Sequence, residues 1–186
     1  MTTQIRDKLI YCDSEIYLNE ELLEKYFRKF PEKKPDFKGF MTALWRGYYV
    51  TFEIKNKELI ITEIEWFEPE EKFDPEIFMK TNFPKNKFVW FSGLIRIDDF
   101  RGKYDDENDE NATYELLQIK NGNLIQHLKF NYQDFQIFKE IIYEDFLNTE
   151  DYKEEFNLWK ENNPNLEETK INEYILNNII HNVREI

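Results

Sequence analysis

The chain has 186 residues, of which 41% are hydrophobic and 17% aromatic, so a buried core is expected and a disordered chain is excluded although 34% of residues are charged. Its 38 acidic against 25 basic residues give a formal net charge of -13, which repels phosphate backbones and anionic bilayers and favours a basic partner. A single cysteine, Cys12, excludes an intramolecular disulfide and a cysteine-based metal cage. The first residues lack the pattern of a secretory leader, and no run approaches the ~18 apolar residues of a membrane span, so a soluble cytoplasmic protein is expected.

Taken in order, residues 9–12 and 15–18 are short β-type runs around Asp13-Ser14 and predict a small edge hairpin. Asn19 stands where an N-cap belongs, Glu20 and Glu21 suit a first helical turn, and Leu22, Leu23, Tyr26, Phe27 and Phe30 recur at helical spacing until Pro31 ends the helix. Residues 42–67 carry the longest β signal. There, 48–54 and 59–67 flank the two-residue turn Asn56-Lys57, which pairs Lys55 with Glu58, Ile54 with Leu59, Phe52 with Ile61 and Val50 with Glu63.

Asp74 followed by Pro75 predicts a capped short helix over 76 to about 80. Residues 87–97 are apolar on both faces, which predicts a central strand with a bulge or close approach at Gly93. The tract 98–111, DDFRGKYDDENDEN, has no periodicity and reads as an exposed loop. Asn121-Gly122 between 113–119 and 124–130 is the strongest short hairpin signal. Helical periods follow in Phe135, Phe138, Ile141, Ile142 and Phe146, then in Tyr152, Phe156 and Trp159, then in Ile171, Ile175, Ile179 and Val183. The expected fold is one α+β domain over 1–186, with an antiparallel sheet built from hairpins, one early helix and two or three C-terminal helices. Residues 165–186 form a helix free to dock on its own sheet or on a partner.

Three stretches resemble a pattern found elsewhere. Ala43-Leu44-Trp45-Arg46-Gly47-Tyr48, then Trp90-Phe91-Ser92-Gly93, then Tyr114-Glu115 resemble an uncharacterised bacterial family with ALWRGY, WFSG and YE strand motifs, over roughly residues 9–130. The resemblance implies that the hairpins act as one unit and implies no chemistry.

Catalytic constellations are sparse. Ser92 and His127 are the one formal nucleophile and base pair, with no motif to orient them, and Ser92-Gly93 is more simply a bulge. His181, in the terminal helix, reads as a surface or partner-facing imidazole. The five glycines lie scattered, so no phosphate-cradling loop exists. Asp105, Glu107 and Asp109 alternate as acidic ligands do, but a calcium loop needs glycine and glutamate where Glu110 and Leu116 stand. No metal site and no cofactor is expected.

Asp105, Asp106, Glu107, Asp109 and Glu110 are instead read as a docking loop for a basic surface, since clustered carboxylates steer cationic partners. Trp45, Arg46 and Tyr48, with Arg96 and His127, are hot-spot or ligand candidates, because arginine and aromatic side chains together dominate recognition sites. The competing reading makes the aromatics core residues, with Arg46 paired to a carboxylate. Three functions stand side by side: an acidic, non-catalytic protein that docks or neutralises a basic partner, of the immunity or antitoxin type; a small-ligand protein or enzyme with a pocket near Trp45, Arg46, Ser92 and His127; and a structural subunit docking through 165–186.

Overall fold

The computed structural model describes residues 4–36, 41–68, 73–97 and 112–183. It is α+β, and its seven strands follow the hydrogen-bonded order β2-β1-β3-β4-β7-β6-β5. The chain divides into two compact units, Met1–Ser92 with Ile119–Gln126, and Gly93–Gln118 with His127–Ile186. Among the described residues no helix is long and apolar enough to cross a membrane.

In the first unit, β1 (Lys8–Tyr11) and β2 (Ser14–Tyr17) are antiparallel. Cys12 and Asp13, both left-handed at φ 50° and 60°, make the turn, one residue earlier than the expected Asp13-Ser14. On its other side β1 runs parallel to β3 (Tyr48–Lys55), Leu9 beside Phe52, so the sheet is mixed. No local pattern announces that pairing, because it joins residues some forty positions apart.

Asn56 and Lys57 turn the chain into β4 (Glu58–Trp66), and the expected pairs Lys55 with Glu58, Ile54 with Leu59 and Phe52 with Ile61 all form. Val50 does not meet Glu63. A bulge between Thr51 and Phe52 leaves Thr62 unpaired, so Glu63 lies opposite Thr51 and Ile64 opposite Val50. The Thr62 hydroxyl donates to the Thr51 carbonyl at 3.0 Å and closes the bulge. A bulge restores the apolar face: Leu59, Ile61, Ile64 and Trp66 share it, whereas strict alternation would have buried Glu63.

Helix α1 (Leu22–Lys29) buries Leu22, Leu23, Tyr26 and Phe27. Asn19 does not cap it; Glu21 holds the N-cap position without a side-chain bond, and Glu20 and Glu21 are drawn to Lys25 and Arg46 instead. Asp74 caps α2 (Pro75–Asn82) as expected, accepting from the backbone N–H groups of Glu76 and Ile77. The core between these elements is aromatic: Tyr26 lies 5.1 Å from Phe83, Phe27 5.7 Å edge-on to Tyr48, and Phe52 5.6 Å from Phe88. Each such ring contributes on the order of 1.5–3 kcal/mol on burial.

The strand expected over 87–97 is not continuous and not central. Lys87 makes only an isolated bridge to Ile60, and strand geometry is confined to β5 (Gly93–Arg96), at one end of the strand order. Its two apolar faces have a different cause from the one inferred. Phe88 and Phe91 enter the aromatic core of the first unit, stacked 6.1 Å apart.

β6 (Tyr114–Lys120) and β7 (Asn123–Phe130) leave the Asn121-Gly122 turn, with φ 49° and 67°, as expected. The tip of this hairpin belongs to the first unit. A Cβ on Gly122 would lie 2.7 Å from the Phe88 carbonyl oxygen, so glycine is required there twice over. Four helical segments follow: α3 (Tyr132–Phe146), α4 (Glu150–Asn162), α5 (Glu168–Asn177) and α6 (Ile179–Asn182). Asn131 and Thr149 cap α3 and α4, each side chain accepting from the N–H three residues on. Leu94 and Ile95 of β5 are buried here, and α6 packs against that strand.

Ile171, Ile175 and Ile179 are fully buried in the core of their own unit with Leu94, Leu116, Phe135, Ile142 and Phe146. Ile141, expected on the same face of α3 as Phe135 and Phe146, is exposed; Lys139 occupies the buried face, its ammonium 5.2 Å from the Phe135 ring centre.

Candidate functional site

The hot-spot stretch around Trp45 divides sharply. Residues 42–47 are turns rather than strand, and Gly47, at φ 75°, ends them. Trp45 is 51% exposed, whereas Arg46 is 1% exposed and Tyr48 is fully buried. A buried guanidinium must be compensated, and it is. Arg46 Nη1 donates to both carboxylate oxygens of Asp7, at 3.1 and 3.0 Å, and Nη2 to the Ile5 carbonyl at 2.9 Å. Asp7 also accepts from the Val50 N–H at 2.9 Å, and so ties the start of the chain to β3.

A second layer surrounds this pair. The Tyr48 hydroxyl donates to Glu24 at 2.6 Å, and Lys34 donates to both oxygens of the same carboxylate at 2.8 and 3.0 Å. Arg46 Nε faces Glu21 at 3.4 Å without making a hydrogen bond. Gln4, Arg6, Asp7, Glu20, Glu21 and Arg46 help to line a cavity of about 240 Å³.

Titration in the cluster follows burial against charge. Burial pushes the Asp7 carboxyl up against the pull of Arg46, and burial likewise raises Glu21. Burial would lower the Arg46 guanidinium, but the attraction and hydrogen bonds of Asp7, with Glu21 adding to them, carry it above its ordinary value. Tyr48 is raised far above the ordinary phenol range, by burial first and then by Glu24, so it stays protonated and donates. The arrangement therefore holds Arg46 as a clamp, with one N–H edge and Glu21 at the cavity.

The other candidates lie elsewhere. Arg96, in the second unit, sets its guanidinium 5.2 Å from the Tyr114 ring centre and 5.8 Å from that of Phe135. His127 Nε2 donates to Glu115 at 2.8 Å, and Lys129 donates to the same carboxylate at 2.8 Å. The Lys129 hydrogen bond chiefly, with help from His127, holds Glu115 below the usual carboxylate range. In the first unit, Ser92 Oγ accepts from the Asn121 N–H at 3.0 Å, a turn contact. His181 is half-buried. Asp105, Asp106, Glu107, Asp109 and Glu110 lie outside the described residues. No group of three or more His, Cys, Asp or Glu side chains among the described residues is arranged to hold a metal ion.

Asp7, Glu21 and Glu24 were not anticipated as partners of Arg46 and Tyr48. The available signal was Asp7 itself, a carboxylate just ahead of β1 and two residues before the fully buried Leu9. Comparison with protein-family models, curated proteins and solved structures finds no match.

Proposed function

We propose that the protein is a non-catalytic binding protein that docks a basic protein partner, of the immunity or antitoxin type. The observation that carries this is where the charges are spent. Four cations of the first unit are matched internally: Arg46 with Asp7, Lys25 with Glu20, Lys34 with Glu24 and Lys87 with Glu58. These pairs are neutral, so the excess of 38 acidic over 25 basic residues in the chain lies outside them. Glu63 and Glu65 project from β4 beside Thr51 and Tyr49, and the Tyr49 phenol is pushed up to about 12, chiefly by its hydrogen bond to Glu65. Surfaces of one sign speed association with the opposite sign and weaken as salt is added. Purified protein should bind basic proteins with an affinity that falls steeply between about 50 and 500 mM salt; binding that ignores salt, or no binding at all, rejects the reading.

A second reading has its own observation. The cavity beside Arg46 carries Glu21 with a raised pKa and an Nε–H without a hydrogen bond, features of a small polar ligand site. A thermal-shift screen of small polar compounds tests it: a hit abolished by Glu21→Gln supports it, and a screen without hits removes it.

A further inference from the structure

Helix α3 presents an anomaly on its solvent face. Ile137 is 55% exposed and Ile141 56% exposed, four residues apart and therefore adjacent on the helix surface. Scattered apolar residues need no explanation, but two side by side at the centre of a solvent face form a patch. The carboxylates around it are ordered. Asp134 precedes Ile137 by three positions and Glu140 follows it by three, while Glu144 and Asp145 follow Ile141 by three and four, and all four are exposed. None of the four is ion-paired among the described residues. The one cation of the helix, Lys139, is buried on the opposite face.

We infer that this face of α3 is the docking surface for a basic amphipathic helix of the partner, an inference that rests on the basic-partner reading above. The isoleucines supply the apolar contact and the carboxylates select the occupant. A helix laid along α3 would bury its own apolar stripe on Ile137 and Ile141 and bring flanking lysines or arginines to Asp134, Glu140, Glu144 and Asp145. A second copy of this chain meets the opposite condition, since pairing two such faces sets four carboxylates against four. An anionic bilayer is repelled for the same reason.

The probe is a fluorescent helical peptide of leucine and lysine with leucines at i, i+3, i+4 and i+7, and the control is a scrambled peptide of the same composition. Anisotropy should show the amphipathic peptide binding more tightly. The variant Ile137→Ser/Ile141→Ser should weaken it by about tenfold or more and leave the scrambled peptide within about twofold. Glu140→Gln/Glu144→Gln should reduce the salt dependence of both peptides. Both isoleucines are more than half exposed, so the variants are expected to fold, with an unchanged far-ultraviolet circular dichroism spectrum as the check. If the isoleucine variant binds the amphipathic peptide like the parent while binding remains salt-dependent, the α3 surface is rejected and the basic-partner reading stands. If neither peptide binds at low salt, both fall. A concentration-dependent dimer abolished by the isoleucine variant assigns the face to self-association and overturns the inference.

Discussion

Substitution of Asp7 by alanine tests the clamp most severely. It removes the carboxylate that accepts both Arg46 Nη1 bonds and the Val50 N–H. Leaving a buried arginine uncompensated costs about 3–5 kcal/mol, and a buried N–H without an acceptor about 1–3 kcal/mol. The two costs share one site and do not add fully, so the expected loss is about 4–6 kcal/mol. At about 2–4 °C per kcal/mol for a chain of this size, the midpoint should fall by roughly 10–20 °C. Urea unfolding followed by tryptophan fluorescence is the suitable assay, because Trp45, Trp66 and Trp90 all lie in the first unit and only Trp159 in the second. Replacing both partners with apolar residues, Asp7→Leu with Arg46→Met, should recover most of the loss, since a buried pair is often worth no more than well-packed hydrophobic residues. A single-variant loss below about 1 kcal/mol, or a double variant as unstable as the two singles combined, would show that Asp7 does not compensate Arg46.

Further outcomes follow from the same contacts. Tyr48→Phe removes a hydroxyl donating to a buried carboxylate and should cost about 1.5–3 kcal/mol by urea titration. Because burial raises Glu21 above 4.5, the folded state holds its proton more tightly than the unfolded chain; that stabilisation is complete below 4.5 and is lost as pH rises through the folded value, so Glu21→Gln should flatten stability against pH there. Glu115, held below 4.5, has the opposite sign: its contribution is present above 4.5 and lost on acidification, and Glu115→Gln should remove that acid-side slope. Gly122→Ala, with a Cβ driven into the Phe88 carbonyl at positive φ, should cost on the order of 2–4 kcal/mol in the same assay. Deleting residues 164–186 should unfold the second unit rather than leave it intact, since Ile171, Ile175 and Ile179 each contribute about 1.5–3 kcal/mol of burial; an unchanged circular dichroism spectrum per remaining helix would contradict this.

What was legible in the sequence was mostly local chemistry. Asn121-Gly122 and Asn56-Lys57 announce their hairpins because left-handed turn residues are few, and Asp74-Pro75 announces α2 because both residues suit a helix start. The bulge at Thr62 was missed, since unbroken alternation was expected to set Val50 opposite Glu63, although the apolar residues at 59, 61, 64 and 66 break that alternation once. Long-range facts were not. The parallel pairing of β1 with β3 and the Asp7–Arg46 clamp each join residues about forty positions apart, and nothing at either end names the other. Residues 87–97 misled because two-sided apolarity arises from turned-in phenylalanines as readily as from a central strand. Arg46 was visible as distinctive, but only its burial shows that most of its hydrogen-bonding capacity is used inside the fold.

The proposed function requires that the acidic charge meet a basic protein. The direct measurement is calorimetric titration of the purified chain with a basic protein captured on it, at about 50, 150 and 500 mM salt. The expected result is a partner of net positive charge whose affinity falls by about tenfold or more across that range. Capture of only neutral or acidic proteins, or an affinity that does not respond to salt, would contradict it.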